Sequence, residues 1–590
     1  MDDPIAKRTG SLSASNIISN QRTLLFAFFT FILIYRLYYF NSFLVPDADF
    51  FDFREKAISF IDLKLPSNPK SYERLPFYPS LMGFLSLVLP GREPILLAAE
   101  LINLIGSILC LLLVYLISSE FIGRSAFFVV LLFAFHPLTN HMTIQPRAEM
   151  LTLVFLLLGI RLSLSDRYAS YLCAFLAALT RYEGTILILS LLTKDVIFHR
   201  RRSLVILLGF LSSLGIMAWL YLNHRATGHL NPYYNYFGSE IGRDLGGEVG
   251  LAALRYVKLK VAGLLNFIPS GVPVRKAFAV LVLILGTTGF YSFFKRSFKK
   301  ALPLFLFLFG HLLVHFIYFA LAKQHLFLIL WICYLTVVGG IRYIAVYIEQ
   351  SITEPKMYEL QSKAMFYSLI LVLTATALFL GRFSTSESPS IGFWVTYVIP
   401  SIFIIWFTAI TYDSSRLLDR FLIIVLIPVL NFVLERDIIL THEGVTNAIY
   451  TKAELRLVGE WYSENVKDGE KMVVTEPRVP GYYADLLRYT KESNMPISGH
   501  YSDDYGNLIF LGGFRASSHG SFISELRDRG ITYVVWNSHH RKYDENSYYS
   551  RLDKRFLISD LRDGRDRPNF KLIKTLRAGP SYAFIYRFVP

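Results

Sequence analysis

The chain has 590 residues, 53% of them hydrophobic and only 18% charged, with a formal net charge of +15. Its mean hydropathy is +0.41, and apolar runs of about 20 residues, the length that crosses a bilayer, recur along it. This excludes an ordinary soluble enzyme, which would be about a quarter charged, and it removes the need for a nucleic-acid partner, because basic loops retained on one side of a membrane account for the positive balance.

Residues 1–22 are polar, carry Lys7, Arg8 and Arg22, and read as a cytoplasmic segment. The first apolar run, 23–44, lacks a small-residue cleavage site and reads as a retained helix rather than a signal peptide. A polar segment, 46–76, follows on the outer side. Helices are then expected near 96–118, 125–141, 148–164, 168–180, 184–197, 203–222, 277–294, 301–320, 326–346, 364–381, 393–411 and 419–434. The expected fold is a polytopic α-helical membrane protein with about thirteen transmembrane helices within 23–434. Basic clusters fit this alternation: Arg124, Arg161 with Arg167, "KDVIFHRRR" (194–202), "FKRSFKK" (294–300), the stretch 342–363 and "DSSRLLDR" (413–420) all fall on the cytoplasmic side. Cys110, Cys173 and Cys333 lie far apart in apolar runs, so no disulfide framework or zinc motif is visible.

Two outer segments are long, 223–276 and 435–590. The second changes character. "TKAELRLVGEWYSENV" (451–466) has helical apolar spacing and "KMVVTEP" follows as a strand. "SFISELRDRGITYVVWN" (521–537) reads helix, Gly turn, strand, and "FKLIKTLRAGPSYAFIYRF" (570–588) reads as a hairpin. The tail is therefore expected to be a soluble extracytoplasmic α/β domain.

Charges crowd the outer face in a way that the loop rule does not ask for. Asp47, Asp49 and Asp52 stand in "VPDADFFDFREKA" (45–57) directly after the first apolar run. Arg74, Arg147, Arg181 and Lys323 fall at outer helix ends, and Arg243, Arg255, Lys258, Lys260, Arg275 and Lys276 in the long outer loop. Ionisable groups near membrane depth cost about 2.5–3.5 kcal/mol at a helix centre and mark functional sites by default. The bland alternatives are snorkelling of single cations to headgroups and helix N-terminal capping by the acids. Carboxylates and cations concentrated together suit one reaction: a base activates a hydroxyl while cations hold a phosphate leaving group.

Four stretches carry a resemblance. "DFFDFREKA" (49–57) resembles the D-x-x-x-aromatic-x-x-x-A pattern of the first outer loop of GT-C glycosyltransferases. "RLPFYPSLMGFL" (74–85) is similar to that superfamily's R-x-P-x-Y-P stretch, "QPRAEMLTLVFLLLG" to its helix-opening Glu segment, and "AALTRYEGTILIL" (178–190) to its L-T-R-x-E-G element. The superfamily includes protein O-mannosyltransferases, aminoarabinose transferases and the RgtA/B/C/D-like group. Span count and external α/β domain also match, so the resemblance covers most of the chain.

The resemblance implies a GT-C fold and an inverting transfer of a sugar from a polyprenyl-phosphate donor to an acceptor hydroxyl on a glycan, lipid or protein. The register points to Asp49 as general base, with Asp47 as fallback and Asp52 as helper. Arg74, Tyr78, Arg147, Glu149, Arg181, Glu183, Arg243, Lys258, Lys260, Lys276, Lys323 and His325 are the expected donor-phosphate or sugar-binding residues. Arg181 and Glu183 equally suit a structural ion pair in a tight turn. The sequence departs from the pattern at "AKQHLFLILW" (322–331), where Gln324 takes the place of an expected Arg; Lys323 there offers a point charge rather than a fork. No cofactor is expected. A divalent ion at Asp47 and Asp49 is the second reading, and the W-W-D-Y-G-like signature of the metal-using oligosaccharyltransferase branch is not found. The expected location is the plasma membrane, or the endoplasmic reticulum membrane in a eukaryote, with the N-terminus cytoplasmic. The competing classes are a transporter or flippase of lipid-linked sugars and a non-catalytic GT-C-like scaffold.

Overall fold

The computed structural model describes residues 14–39, 48–65, 72, 74–90, 93–199, 201–228, 273–317, 323–351, 453–475, 477–484, 507–516, 518–538, 558–578 and 581–590. The expected spans 364–381, 393–411 and 419–434, and most of the outer loop 223–276, lie outside these residues. The helices of the first part are α1 (Ala14–Tyr39), α2 (Ala48–Ile61), α3 (Phe77–Ser86), α4 (Pro94–Ile122), α5 (Ala126–Phe135), α6 (Pro137–Ile144), α7 (Ala148–Leu164), α8 (Ala169–Thr180), α9 (Gly184–Phe198), α10 (Arg202–Thr227), α11 (Pro273–Ile317) and α12 (Lys323–Ser351).

Among the described residues four stretches are long and apolar enough to cross a membrane: Pro94–Phe135, Arg202–Thr227, Leu283–Val314 and Phe327–Ile344. These helices are apolar all round, with Leu109, Leu112, Leu207 and Phe210 exposed on faces that lipid would cover. The interior is one aromatic-rich cluster to which α1 and every helix from α4 to α12 contribute, and in which the rings of Phe133 and Phe327 stack at 5.7 Å. Helices α11 and α12 touch backbone to backbone: a Cβ on Gly289 would lie 1.9 Å from Thr336 O, and one on Gly340 2.0 Å from Leu285 O. Small residues at a crossing let backbones approach where lipid supplies no hydrophobic drive.

Several boundaries differ from expectation. α1 begins at Ala14 rather than 23, because the polar residues ahead of the apolar run continue the same helix. The stretch 125–141 breaks at His136, whose extended backbone (φ −63, ψ 130) is what the following Pro137 demands. The two helices expected at 277–294 and 301–320 run on through the basic stretch and meet at a kink at Ser297 (φ −159, ψ 89). The outer segment 46–76 is not merely a polar loop, for it contains α2, and α3 follows where no helix was expected.

The C-terminal part follows its sequence pattern closely. Helix α13 (Ala453–Asn465) leads into β1 (Lys471–Val474), then α14 (Arg478–Tyr483), β2 (Leu508–Phe510), α15 (His519–Asp528), β3 (Ile531–Asn537), β4 (Phe570–Ala578) and β5 (Ser581–Phe588). The sheet order is β2-β1-β3-β5-β4. β1 is parallel to β2 and β3, and the β4–β5 hairpin is antiparallel. One face packs Val534, Trp536 and Phe584 against Phe522 and Leu526; the other packs Met472, Val474 and Val535 against Val458 and Tyr462.

Candidate active site

Helix α2 sorts its residues by face. Phe50, Phe51, Phe53, Lys56 and Ala57 are buried, while Asp52 and Glu55 are partly exposed. Its apolar face meets α3, and Gly83 makes that approach possible: a Cβ there would lie 2.8 Å from Ala57 O. α3 starts at "LPFYPS", where Pro76 caps the helix and accepts a 2.7 Å bond from the Ser80 hydroxyl, and Pro79 sits in the first turn, where its missing N–H costs nothing. The rings of Phe53 and Tyr78 then meet edge to face at 5.1 Å. A single cluster joins α2, α3, the start of α4, the start of α7, and Leu455, Val479 and Tyr482 of the C-terminal part.

Arg74 lies on this cluster's rim. Its Nε is 3.9 Å from Asp52 Oδ2, and its guanidinium carbon lies 5.8 Å from the centre of the Phe53 ring. The two ionic side chains are 26% and 36% exposed, so the pair faces outward from an apolar floor. Asp49 occupies the first turn of α2, three residues ahead of Asp52. Asp47 lies outside the described residues.

The second group gathers at the starts of α7 and α9. Asn103 of α4 donates to Met142 O at 3.3 Å and also to Gln145 O, fixing the chain where it turns toward Arg147. Arg147 stands at the N-cap of α7 and Glu149 in its first turn, where a helix dipole favours a carboxylate. The turn "TRYEGT" between α8 and α9 is tight because a Cβ at position 184 would meet Ala177 C at 2.2 Å. It aims Arg181 inward, with Nη1 2.7 Å from Glu149 Oε1 and Nη2 2.8 Å from Glu183 Oε1. Arg147 Nη1 is 3.9 Å from the same Glu149 oxygen. Tyr78 is completely buried; burial first, then the Glu149 and Glu100 carboxylates, hold its hydroxyl well above its ordinary pKa.

Two packing clusters connect these groups. Tyr72, Leu75 and Trp219 pack together with Phe60 of α2 and Tyr182 of the α8–α9 turn. The Arg74 segment, α2 and the Arg181 turn thus share one wall. From the other side the C-terminal part packs on α2: Arg54 lies 5.3 Å over the Tyr482 ring, and Phe51 meets that ring at 5.2 Å.

Of the sequence candidates, the structure brings Asp52, Arg74, Tyr78, Arg147, Glu149, Arg181 and Glu183 into this neighbourhood. Arg181 and Glu183 form the ion pair that was one of their two readings. Lys276 sits in the first turn of α11 and Lys323 and His325 in that of α12, each by backbone position. Arg243, Lys258 and Lys260 lie outside the described residues. No group of three or more His, Cys, Asp or Glu among the described residues is placed to share a metal ion.

Sequence reasoning missed Arg54, Lys56, Glu93, Glu100, Trp219 and Tyr482. One signal was available for Lys56: a lone cation inside the apolar stripe of Phe53, Ala57 and Phe60. The contacts of Tyr482 join positions hundreds of residues apart and leave no local pattern.

The opposite end of the bundle holds a separate charge network. Lys194 Nζ lies 2.9 Å from Asp166 and 3.4 Å from Asp195, Lys299 also pairs with Asp166, and Glu120 takes Arg161 at 3.3 Å and Lys300 at 3.0 Å. Arg296 donates to Phe121 O at 3.1 Å, and Arg342 to Ile122 O, satisfying carbonyls at the C-terminus of α4. Helix α7 separates the two ends by about 25 Å.

No protein-family model and no curated protein matches the chain. Among solved structures it is similar to ArnT from Cupriavidus metallidurans bound to undecaprenyl phosphate, with 12% identity over 95% of this chain and 98% of that one and a TM-score of 0.47. The apo state of the same protein gives 12% identity, the same coverage and a TM-score of 0.46. The Archaeoglobus fulgidus oligosaccharyltransferase tethered with an acceptor peptide gives 13% identity over 86% of this chain and 69% of that one, with a TM-score of 0.41.

Proposed function

We propose that this chain is an inverting glycosyltransferase of GT-C type that moves a sugar from a polyprenyl-phosphate donor to an acceptor hydroxyl at the outer membrane face. The observation that carries the reading is the Asp52–Arg74 pair, which sets the acid-bearing first turn of α2 beside a cation on an aromatic floor. An acid and a cation side by side at the edge of an apolar bundle suit a lipid-linked phosphate ester, whose tail belongs in the bilayer and whose reacting atoms belong at its surface.

In the proposed step the Asp49 carboxylate takes the proton of the acceptor hydroxyl. The acceptor oxygen forms a bond to the anomeric carbon as that carbon's bond to the phosphate oxygen breaks, and the lipid phosphate leaves with the electron pair. One displacement inverts the anomeric centre. Arg74 meets the developing phosphate charge, with Lys276, Lys323 and His325 as further cations from the starts of α11 and α12. Asp52 orients Arg74 through their ion pair. Arg181 and Arg147 hold the Glu149 carboxylate in place as a hydrogen-bond acceptor for sugar hydroxyls. No step is assigned to a metal ion. The acids lie on the extracytoplasmic side, together with the C-terminal domain.

The test is sugar transfer by the purified protein in lipid nanodiscs, from a panel of polyprenyl-phosphate sugars. Asp49→Asn should lower turnover by at least about 100-fold, the usual scale of general-base catalysis, and excess chelator should leave the rate unchanged. Undiminished transfer by Asp49→Asn would remove the mechanism.

A further inference from the structure

Lys56 is completely buried, one of the largest side chains without solvent contact among the described residues. Burying an ammonium is costly unless it is paired or hydrogen-bonded. Its Nζ donates to the main-chain carbonyl of Arg74 and lies 5.6 Å over the Trp219 ring. Trp219 in turn donates its indole N–H to Tyr72 O at 3.0 Å, and the Tyr72 and Trp219 rings pack at 5.3 Å. The segment carrying Arg74 is therefore held at two alternate carbonyls, Arg74 O by a donor from α2 and Tyr72 O by a donor from α10. The charge-assisted bond is the stronger anchor.

We infer that Lys56 is a positioning residue: with Trp219 it latches the Tyr72 and Arg74 carbonyls so that the Arg74 guanidinium stands against Asp52 and over Phe53. This rests on the reading above that Arg74 meets the donor phosphate. Lys56 itself touches no substrate. Its place one turn beyond Asp52 on α2 ties the cation's backbone to the helix that bears the acids.

The experiment uses full-length protein in nanodiscs and two readouts. The first needs no ligand: the rate at which phenylglyoxal modifies Arg74, read by peptide mass spectrometry against Arg161 as internal reference. The second is binding of a polyprenyl phosphate by native mass spectrometry. Lys56→Met should speed Arg74 modification several-fold and weaken binding about tenfold, equivalent to about 1.4 kcal/mol. Lys56→Arg should restore part of both. Should Lys56→Met fail to fold, Trp219→Phe keeps an aromatic ring there, removes the N–H bond to Tyr72 O, and should shift both readouts the same way by a smaller factor. In an Arg74→Ala background the binding effect of Lys56→Met should vanish, which a merely structural role would not produce. An unchanged Arg74 reactivity, or an equal binding loss in the Arg74→Ala background, overturns the inference. If Arg74→Ala itself leaves binding unchanged, the phosphate role of Arg74 fails, and the modification rate still decides the role of Lys56.

Discussion

The Tyr482 hydroxyl, in the C-terminal part, donates a hydrogen bond to the Glu93 carboxylate at the start of α4. The same ring meets Phe50 and Phe51 and lies under Arg54 of α2. Burial, then the Glu93 carboxylate, pushes the hydroxyl pKa up, so the tyrosine stays a donor at all physiological pH. One side chain thus joins the C-terminal part to both α2 and α4.

Tyr482→Ala should therefore loosen α2 as well as the domain contact. Removing a buried aromatic side chain costs about 3–5 kcal/mol, whereas Tyr482→Phe loses only the hydrogen bond, about 1–2 kcal/mol. Hydrogen exchange of α2 amides should rise sharply in the first variant and slightly in the second. Equal exchange in both would mean that the ring does not brace α2.

Gly83→Val should separate α3 from α2, since even a Cβ would sit 2.8 Å from Ala57 O and 3.2 Å from Ile61 Cγ1. Overpacking of this kind costs about 1–3 kcal/mol. A lower melting temperature, with activity falling more than stability explains, is the expected result, because α3 carries Tyr78 and α2 the acids.

Arg181→Ala should destabilise more than Arg181→Lys. The guanidinium serves Glu149 and Glu183 at once, and both carboxylates are buried. Stripping the partner from a buried charge costs about 3–5 kcal/mol. Arg181→Ala with Glu183→Gln should recover part of the loss, measured as thermal midpoint in nanodiscs. No recovery would show that Glu183 depends on other partners.

Acid should dissolve the network at the other end of the bundle. Burial pushes the Asp166 carboxyl up, but hydrogen bonds from Lys299 and Lys194 outweigh it and hold its pKa down to about 2, against an ordinary 3.8. A depressed folded-state pKa contributes stability that is present above 3.8 and disappears as pH falls toward 2. With the side chain 41% exposed, solvent screening reduces this to about 1 kcal/mol. Melting curves of wild type and Asp166→Asn should diverge at pH 6, draw together below 3.8 and converge only below about pH 2; a constant gap would contradict the assignment.

What the sequence disclosed follows from which forces act locally. Strands such as Ile531–Asn537 and the hairpin ending in Phe588 were readable because alternation and turn residues are short-range signals. The start of α7 and the Arg181–Glu183 turn were readable for the same reason. Helix α2 was hidden because its apolar face is narrow and its outer face charged, the pattern of a loop in a membrane protein. α3 was hidden because ten residues are too few for a span. Glu93 and Tyr482, which meet across the fold, were beyond any local pattern.

The kink at Ser297 makes bilayer thickness part of the fold. It divides α11 into arms of about 24 and 20 residues, roughly 36 and 30 Å long. The second matches a hydrocarbon core of about 30 Å, and the first exceeds it. The longer arm must tilt or emerge, carrying Lys276 with it, and how far it does so depends on lipid chain length.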